Sequence, residues 1–472
     1  MKFPIGGIVR ERMGAGLGIC SSRDLVRFQN RQYSLDERRW CCIWTLLFYC
    51  SEMTLHFRVF LSKDSSEIFY QKTVGLFASP GAECFRAILF SEVMMMDEKR
   101  KKTMSASEQT IADKRYMEMA IELARRGAGK VNPNPMVGAV IVKDGRVIGR
   151  GYHQKYGSLH AERNALKNCV EDPSGAAMYV TLEPCCHYGK TPPCTQAIIE
   201  AGISRVVVGA ADPNPKMSGR SLKTLRDHGM EVNCGVLKEQ CDDLIKIFRK
   251  YITTGLPYVT MKYAMTLDGK IAAYTGRSQW ITGEEARRHT HETRNLYSGI
   301  MAGVETVIKD DPLLTCRITG GRDPIRIICD SRLRTPLGSR IVKTAADVRT
   351  IIATCEDDIR KHLPFTQKGC HIIVTGSRDG MVDLRELMLR LGTQDIDSVL
   401  LEGGGSLNWS AMDQHIVDSV QAYIAPMIMG GEKARSPVEG LGHPSPDLAV
   451  RLKNMKITAI GKDYLAEGEV VY

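Results

Sequence analysis

Two short segments constrain this chain more than anything else in it: HAE, His160 to Glu162, and EPCCHYGKTPPC, Glu183 to Cys194. Together they offer a histidine and cysteines that can serve one metal only if a helix start and the end of a strand meet at a point. Zinc held by three protein ligands keeps a fourth position for water, whose pKa it lowers towards neutrality. Deamination needs one group more, a carboxylate beside the metal that carries the proton from attacking water to leaving ammonia. His160 and Glu162 fit ligand and shuttle, and the thiols must then come from the second segment. The zinc-deaminase pattern is H-x-E followed by P-C-x-x-C, and the chain departs from it at the second cysteine. Two residues after Cys185 stands His187, Tyr188 stands where that cysteine is due, and the next thiol is Cys194. Cys194 opens an apolar helical stretch, and a helix N-terminus favours thiolate. Cys185 and Cys194 are therefore the expected ligands of one zinc per chain. Adjacent side chains point apart, so Cys186 reads as a packed thiol. His187 could close the site as a fourth ligand, but a closed structural site gives no reason for the HAE pair.

At 472 residues the chain exceeds one ordinary core. Its net charge of +10 suits phosphorylated metabolites and makes no argument for nucleic acid. The 15 cysteines are odd in number and dispersed, as expected in a reducing cytoplasm. The most apolar run, Trp40 to Cys50, is too short to span a bilayer as a helix, so no membrane is expected; a small membrane-associating appendage is the weaker alternative. Residues 1–103 carry no sustained period or chemical motif and end at clustered methionines. They are expected to be an extension, disordered or a leader read as protein.

From Gln109 the pattern changes. Tyr116, Met119, Ala120, Leu123 and Ala124 recur at helical spacing, and Asp144-Gly145 sits between two alternating runs as a hairpin turn. Strands and helices then alternate to about residue 250. A second α/β unit, 256–472, follows with none of this metal chemistry, reading SGIMAGVETVI, IRIICDS, VRTIIAT, CHIIVTG and VQAYIAPMIMGG as strands. It contains no G-x-G-x-x-G, but SVLLEGGGSLNWSAM runs a buried strand into three glycines and a helix, a candidate anion cradle.

The segments NPNPMVGAVIV, GYHQKYGSLHAERNAL, YVTLEPCCHYGKTPPC and ADPNPKMSGRS, in this order, resemble the deaminase half of the bifunctional riboflavin-biosynthesis proteins, the RibD or RibG family. MKYAMTLDGKIA, GRSQWITG, HETRNLYSGIMAGVETVIKDDPLLTCR and LLEGGGSLNWS resemble the reductase half. The resemblance implies a cytidine-deaminase-like αβα domain (109–250) followed by a dihydrofolate-reductase-like α/β domain (256–472). It also implies deamination of a phosphorylated diaminopyrimidine, then NADPH-dependent reduction of its ribosyl chain. Asn134, His153, His187 and Lys190 would contact the pyrimidine substrate. In the second half Ala264, Trp280, Thr306, Asp310 and Gly404, Gly405, Ser406, Leu407, Asn408, Trp409 and Ser410 would contact NADPH, with Ser331 an addition. Lys262, Ser278, Arg294, Leu314, Arg317 and Glu402 would contact the second substrate, the two arginines through forks suited to phosphate. Arg163, where the family text has an apolar residue, is expected to face solvent. A homo-oligomer is expected.

The competing reading is a nucleic-acid or nucleoside deaminase with an unrelated C-terminal domain. It calls for a short P-C-x-x-C, a basic face with stacking aromatics and no second α/β unit, and the sequence offers none of these. A zinc-stabilised binding module without catalysis is the other alternative; it leaves Glu162 without a purpose.

Overall fold

The computed structural model describes residues 106–188, 192–214 and 217–472, and the backbone of four strands nearer the start. Those strands are β1 (Val26–Gln29), β2 (Trp40–Cys50), β3 (Met53–Ser62) and β4 (Ile68–Val74), paired antiparallel in that order within a unit that ends at Met104. The described backbone of this stretch is thus strand where disorder was one expectation: its apolar runs pair with one another through their main chains. The rest of that expectation lies outside the described residues.

The described residues of the second unit, Ser105–Tyr472, hold a five-stranded sheet, a nine-stranded sheet and a two-stranded ribbon. In the first part α1 (Ala106–Arg125) leads into β5 (Gly138–Lys143), β6 (Arg146–Tyr152), α2 (Ala161–Lys167), β7 (Ala177–Leu182), α3 (Cys194–Glu200), β8 (Arg205–Ala210), α4 (Arg220–Asp227) and β9 (Glu231–Cys234). The sheet order is β6-β5-β7-β8-β9, with β5 antiparallel to both neighbours and β7, β8 and β9 parallel. Asp144 and Gly145 both take positive φ, +50° and +74°, as the hairpin turn requires. β7 and β8 are buried along nearly their whole length, the signature of central strands covered on both faces. Glycines let the helices approach. A Cβ at Gly138 would lie 1.9 Å from the carbonyl of Ala120 in α1, and one at Gly151 would lie 2.2 Å from the nitrogen of Ala165 in α2. Gly151 pairs with Ala139, the neighbour of Gly138, so the two helices cover opposite faces. Two more helices, α5 (Lys238–Leu244) and α6 (Lys246–Thr254), break at Ile245 where one helical segment was expected, and Gly255 (φ +72°) caps the second.

The second part comprises β10 (Tyr258–Thr266), α7 (Glu284–Leu296), β11 (Gly299–Gly303), α8 (Val304–Asp310), β12 (Ile325–Cys329), α9 (Arg340–Lys343), β13 (Thr350–Thr354), α10 (Ile359–Thr366), β14 (Cys370–Val374), β15 (Ser377–Arg378), β16 (Met381–Val382), α11 (Leu384–Gly392), β17 (Ser398–Leu401), α12 (Gly405–Asp413), β18 (Ser419–Ala425), β19 (Arg451–Ile460) and β20 (Asp463–Val471). Its sheet runs β14-β13-β12-β11-β17-β10-β18-β20-β19, parallel as far as β18 and antiparallel beyond. SGIMAGVETVI does not stay a strand. β11 ends at Gly303, whose lack of a side chain suits the N-cap of α8.

Candidate active sites

The end of β7 and the starts of α2 and α3 converge as the two segments demand. His160 is the N-cap of α2 and Cys194 the first residue of α3. The Nδ1 of His160 lies 3.4 Å from both the Cys185 and the Cys194 sulfurs, and the three donor atoms fall within 4.8 Å of one another. The Cys194 backbone N–H also donates to the Cys185 sulfur at 3.3 Å. The hydrogen bond from Cys194 and the nearby imidazole pull the Cys185 thiol down to about 4, while the same bond and burial push Cys194 well up. Two thiols this close hold one proton between them unless a cation lets both ionise. Two sulfurs and an imidazole nitrogen at this spacing fit zinc. Glu162, on the first turn of α2, is 3% exposed, and burial raises its carboxyl, as a proton carrier near neutrality needs.

Around this cluster, His153 is buried with its ring edge-on to His160 at 5.5 Å between centroids. Its Nδ1 lies 3.1 Å from the Leu159 carbonyl, which can only accept, so the proton sits there and Nε2 accepts from Asn134 Nδ2 at 3.2 Å. Burial also lowers its pKa, which keeps the ring neutral. Cys186 and His187 stay out of the donor cluster, and His187 is exposed. Lys190 lies outside the described residues. Arg163 corrects an expectation. It is half-buried, and its Nε and Nη2 donate to the carbonyls of Pro192 and Pro193, at 3.1 and 2.9 Å. Those carbonyls sit just ahead of Cys194, and one guanidinium binds both at once. Glu183 went unremarked in the sequence, yet its buried carboxylate accepts from Ser221 Oγ (2.6 Å) and from the N–H groups of Asp212 and Gly219 (3.1 Å each), pinning the loop that delivers Cys185. Its place one proline before Cys185 was the available signal.

The second site forms on β10 and β17. Their parallel register sets Met261 beside Leu401, so Lys262 falls next to Glu402. Lys262 Nζ is 3.6 Å from Glu402, and Arg294 from α7 grips both carboxylate oxygens through Nε (2.7 Å) and Nη2 (2.9 Å). Burial opposes ionisation of Glu402, but the charges of Arg294 and Lys262 outweigh it and hold the carboxyl down at about 2. Burial lowers the Lys262 ammonium, with Glu402 opposing. The Arg294 fork, expected to face a phosphate, is thus taken by Glu402, and its Nη1 donates to the Thr315 carbonyl. Arg317 is exposed; its charge and that of Arg294 add to burial in lowering His291, a neighbour the sequence reading passed over. Leu314 packs its side chain into the core with Ile300 and Ile328, leaving only its main chain to a ligand. Ser278 is half-buried in the loop after β10.

A cavity of about 370 Å³ opens beside the start of α12. Of the expected cofactor residues Thr306, Ser331, Gly404, Ser406, Leu407 and Ser410 line it. Gly405 and Asn408 turn away, because a helix shows the cavity only part of its circumference. A Cβ at Gly405 would meet the Ser436 carbonyl at 2.7 Å, and Asn408 Nδ2 donates to the Pro437 carbonyl. Trp409 packs against His443. Ala264 lies on β10, Asp310 ends α8 exposed, and Trp280 is 66% exposed beneath the Arg287 guanidinium; none of them lines the cavity. Sequence reading missed Arg332, Arg334 and Arg435 in its wall. The open N-terminus of α12 and the absence of any atom within 4 Å of a Cβ at Gly404 suit a nicotinamide dinucleotide and its phosphates; Arg332 adds a cation, while Arg334 and Arg435 are paired with Glu305 and Glu439.

Fold and sites together define a zinc-type deaminase joined to a reductase. Residues 110–210 match the cytidine and deoxycytidylate deaminase zinc-binding region, and residues 257–466 match the RibD C-terminal domain. The chain is 51% identical over 367 residues to the riboflavin biosynthesis protein RibD of Actinobacillus pleuropneumoniae, covering 78% of this chain and 98% of that one. It is 40% identical to RibD of Escherichia coli K12, covering 68% and 89%. Among solved structures it is similar to Acinetobacter baumannii RibD (34% identity, TM-score 0.69) and to a diaminohydroxyphosphoribosylaminopyrimidine deaminase/5-amino-6-(5-phosphoribosylamino)uracil reductase from Thermotoga maritima (37%, TM-score 0.66), in each case covering 77% of this chain and all of the other. The chain belongs to the RibD family, the bifunctional deaminase–reductases of riboflavin biosynthesis.

Proposed function

We propose that residues 109–250 deaminate 2,5-diamino-6-(5-phospho-ribosylamino)pyrimidin-4-one at its C2 amine, and that residues 256–472 then reduce the ribosyl chain with NADPH to give 5-amino-6-(5-phospho-ribitylamino)uracil. The observation that carries this is the buried Glu162 beside the His160, Cys185 and Cys194 donors, on the same chain as the Lys262, Glu402 and Arg294 cluster. Zinc, when bound, supplies Lewis acidity and a water of lowered pKa. Glu162 would carry a proton from the attacking water to the leaving amine; Asn134 and His153, joined by their hydrogen bond, present a fixed edge to the pyrimidine. His187 and Lys190 reach the sugar phosphate.

At the second site the hydride is the cofactor's chemistry. Glu402 and Arg294 hold Lys262 at the ribose, Arg317 meets the phosphate, and Ser278 and the Leu314 main chain complete the contacts. Thr306, Ser331, Gly404, Ser406, Leu407 and Ser410 seat the dinucleotide, with Ala264, Trp280 and Asp310 at its ends and Gly405, Asn408 and Trp409 bracing the cradle. Arg332 of the wall favours NADPH over NADH, since only the former carries an extra phosphate. Among the described residues no helix is long and apolar enough to cross a membrane, and a cytoplasmic homo-oligomer without nucleic acid is the proposed setting.

The test is Glu162→Gln. Zinc content and NADPH oxidation on pre-deaminated substrate should stay, while ammonia release falls by at least about 100-fold, the usual worth of a positioned acid–base group. Retained ammonia release would refute the assignment.

A further inference from the structure

A side chain of the reductase half holds the loop that leads into the deaminase site. Asn132, in the loop before β5, donates from Nδ2 to the carboxylate of Asp397, at 2.9 Å to Oδ2 and 3.2 Å to Oδ1, and lies 3.5 Å from the Leu296 carbonyl. Asp397 is 1% exposed and belongs to the core of the other sheet. Ser298 and Ser398 hydroxyls donate to its Oδ1 at 2.6 and 2.7 Å, and the Tyr258 N–H donates to its main-chain oxygen at 2.8 Å. The carboxylate is therefore fixed before Asn132 reaches it. Close approach elsewhere in the same loop agrees: a Cβ at Gly129 would lie 2.1 Å from the Asn295 carbonyl.

What Asn132 holds is the position of Asn134. Only Pro133 separates them, and its ring fixes the intervening φ. Asn134 in turn donates to His153 Nε2 at 3.2 Å, and the His153 ring stands 5.5 Å from that of His160. A connected path thus runs from a buried carboxylate of the reductase core to the edge that meets the pyrimidine.

We infer that Asn132 and Asp397 are a positioning pair through which the reductase domain sets the substrate edge of the deaminase site. The inference rests on the reading of Asn134 and His153 as pyrimidine contacts. Neither member of the pair touches substrate or metal; each acts through Asn134.

The experiment measures deamination by ammonia release in the full chain, zinc content, melting temperature, and NADPH oxidation on pre-deaminated substrate. Asn132→Ala should raise the KM for deamination about tenfold, the scale of one hydrogen bond to a charged group. The deaminase kcat, the zinc content and the reductase parameters should stay within about twofold. Exchanging the pair, Asn132→Asp with Asp397→Asn, reverses donor and acceptor and should bring KM back towards its starting value, whereas Asn132→Asp alone sets two carboxylates face to face and should be the worst of the series. An unchanged KM in Asn132→Ala overturns the pair. So does a loss of both activities in proportion to a lowered melting temperature, which marks a merely structural contact. Should Asn132→Ala fail to fold, the exchanged variant decides: a folded protein with near-normal KM upholds the pair, and one with raised KM overturns it. Absence of ammonia from the unaltered chain sinks the deaminase reading and this inference with it; ammonia release with a KM indifferent to Asn132 sinks the inference alone.

Discussion

Cys194 is well placed to serve as a ligand because of what precedes it. Arg163 holds the carbonyls of Pro192 and Pro193, so the first turn of α3 begins at a fixed place relative to α2, which carries His160. Groups that orient ligands commonly change metal affinity 10- to 100-fold when removed. Arg163→Ala should weaken zinc binding about tenfold in a chelator competition and leave the reductase untouched. In the second site, Lys262 keeps its charge only against burial. A lysine with a lowered pKa loses its proton at lower pH than the ordinary 10.5, so reductase activity should fall early on the alkaline side. Lys262→Arg, which cannot deprotonate there, should abolish that alkaline fall in a pH–rate profile even if its rate is low.

Helices and strands in the deaminase half are tied by one buried ion pair. Asp113 on α1 meets Arg205 at the head of β8, with Nη2 to Oδ2 at 2.7 Å and Nη1 to Oδ1 at 2.8 Å, and Tyr179 of β7 adds its hydroxyl at 2.9 Å. Burial opposes the Asp113 charge, but these hydrogen bonds outweigh it and put the carboxyl below its ordinary 3.8. A carboxyl lowered on folding stabilises fully above that ordinary value, and the contribution disappears as pH falls through the folded value. Asp113→Asn should therefore lower stability by about 1 to 3 kcal/mol at neutral pH. In melts at descending pH the gap between the two proteins should close only below about pH 4. The elements themselves were legible in different degrees. The α1 period, the Asp144-Gly145 turn and the strand into Cys185 all carry local signals strong enough to read. SGIMAGVETVI misled because apolar residues run on through Gly303, and only the glycine marks the change from strand to helix. β19 and β20 were not recognised: β19 is almost wholly exposed, its apolar side chains included, and such a strand is specified by its partner more than by its own pattern.

At the scale of the whole chain, residues 1–103 bring none of the site residues, and the unit from Ser105 onward contains both clusters. A protein started at Met104 is expected to keep both activities per mole; a loss of either would assign the first unit a role. The order of the two chemistries was readable from motif spacing and resemblance, because metal ligands and shuttle must stand in a fixed local arrangement. The Glu402 and Arg294 contact was not, since its partners are far apart in sequence and meet only through the register of β10 and β17. Between α6 and β10 stand only Gly255, Leu256 and Pro257, and Leu256 is itself packed into the second core. With no loose tether to cut or lengthen, the two catalysts are made and degraded together, one copy for one copy. A cell carrying this protein cannot adjust the first step against the second by gene dosage, so any imbalance between them has to be corrected by turnover number at the sites themselves.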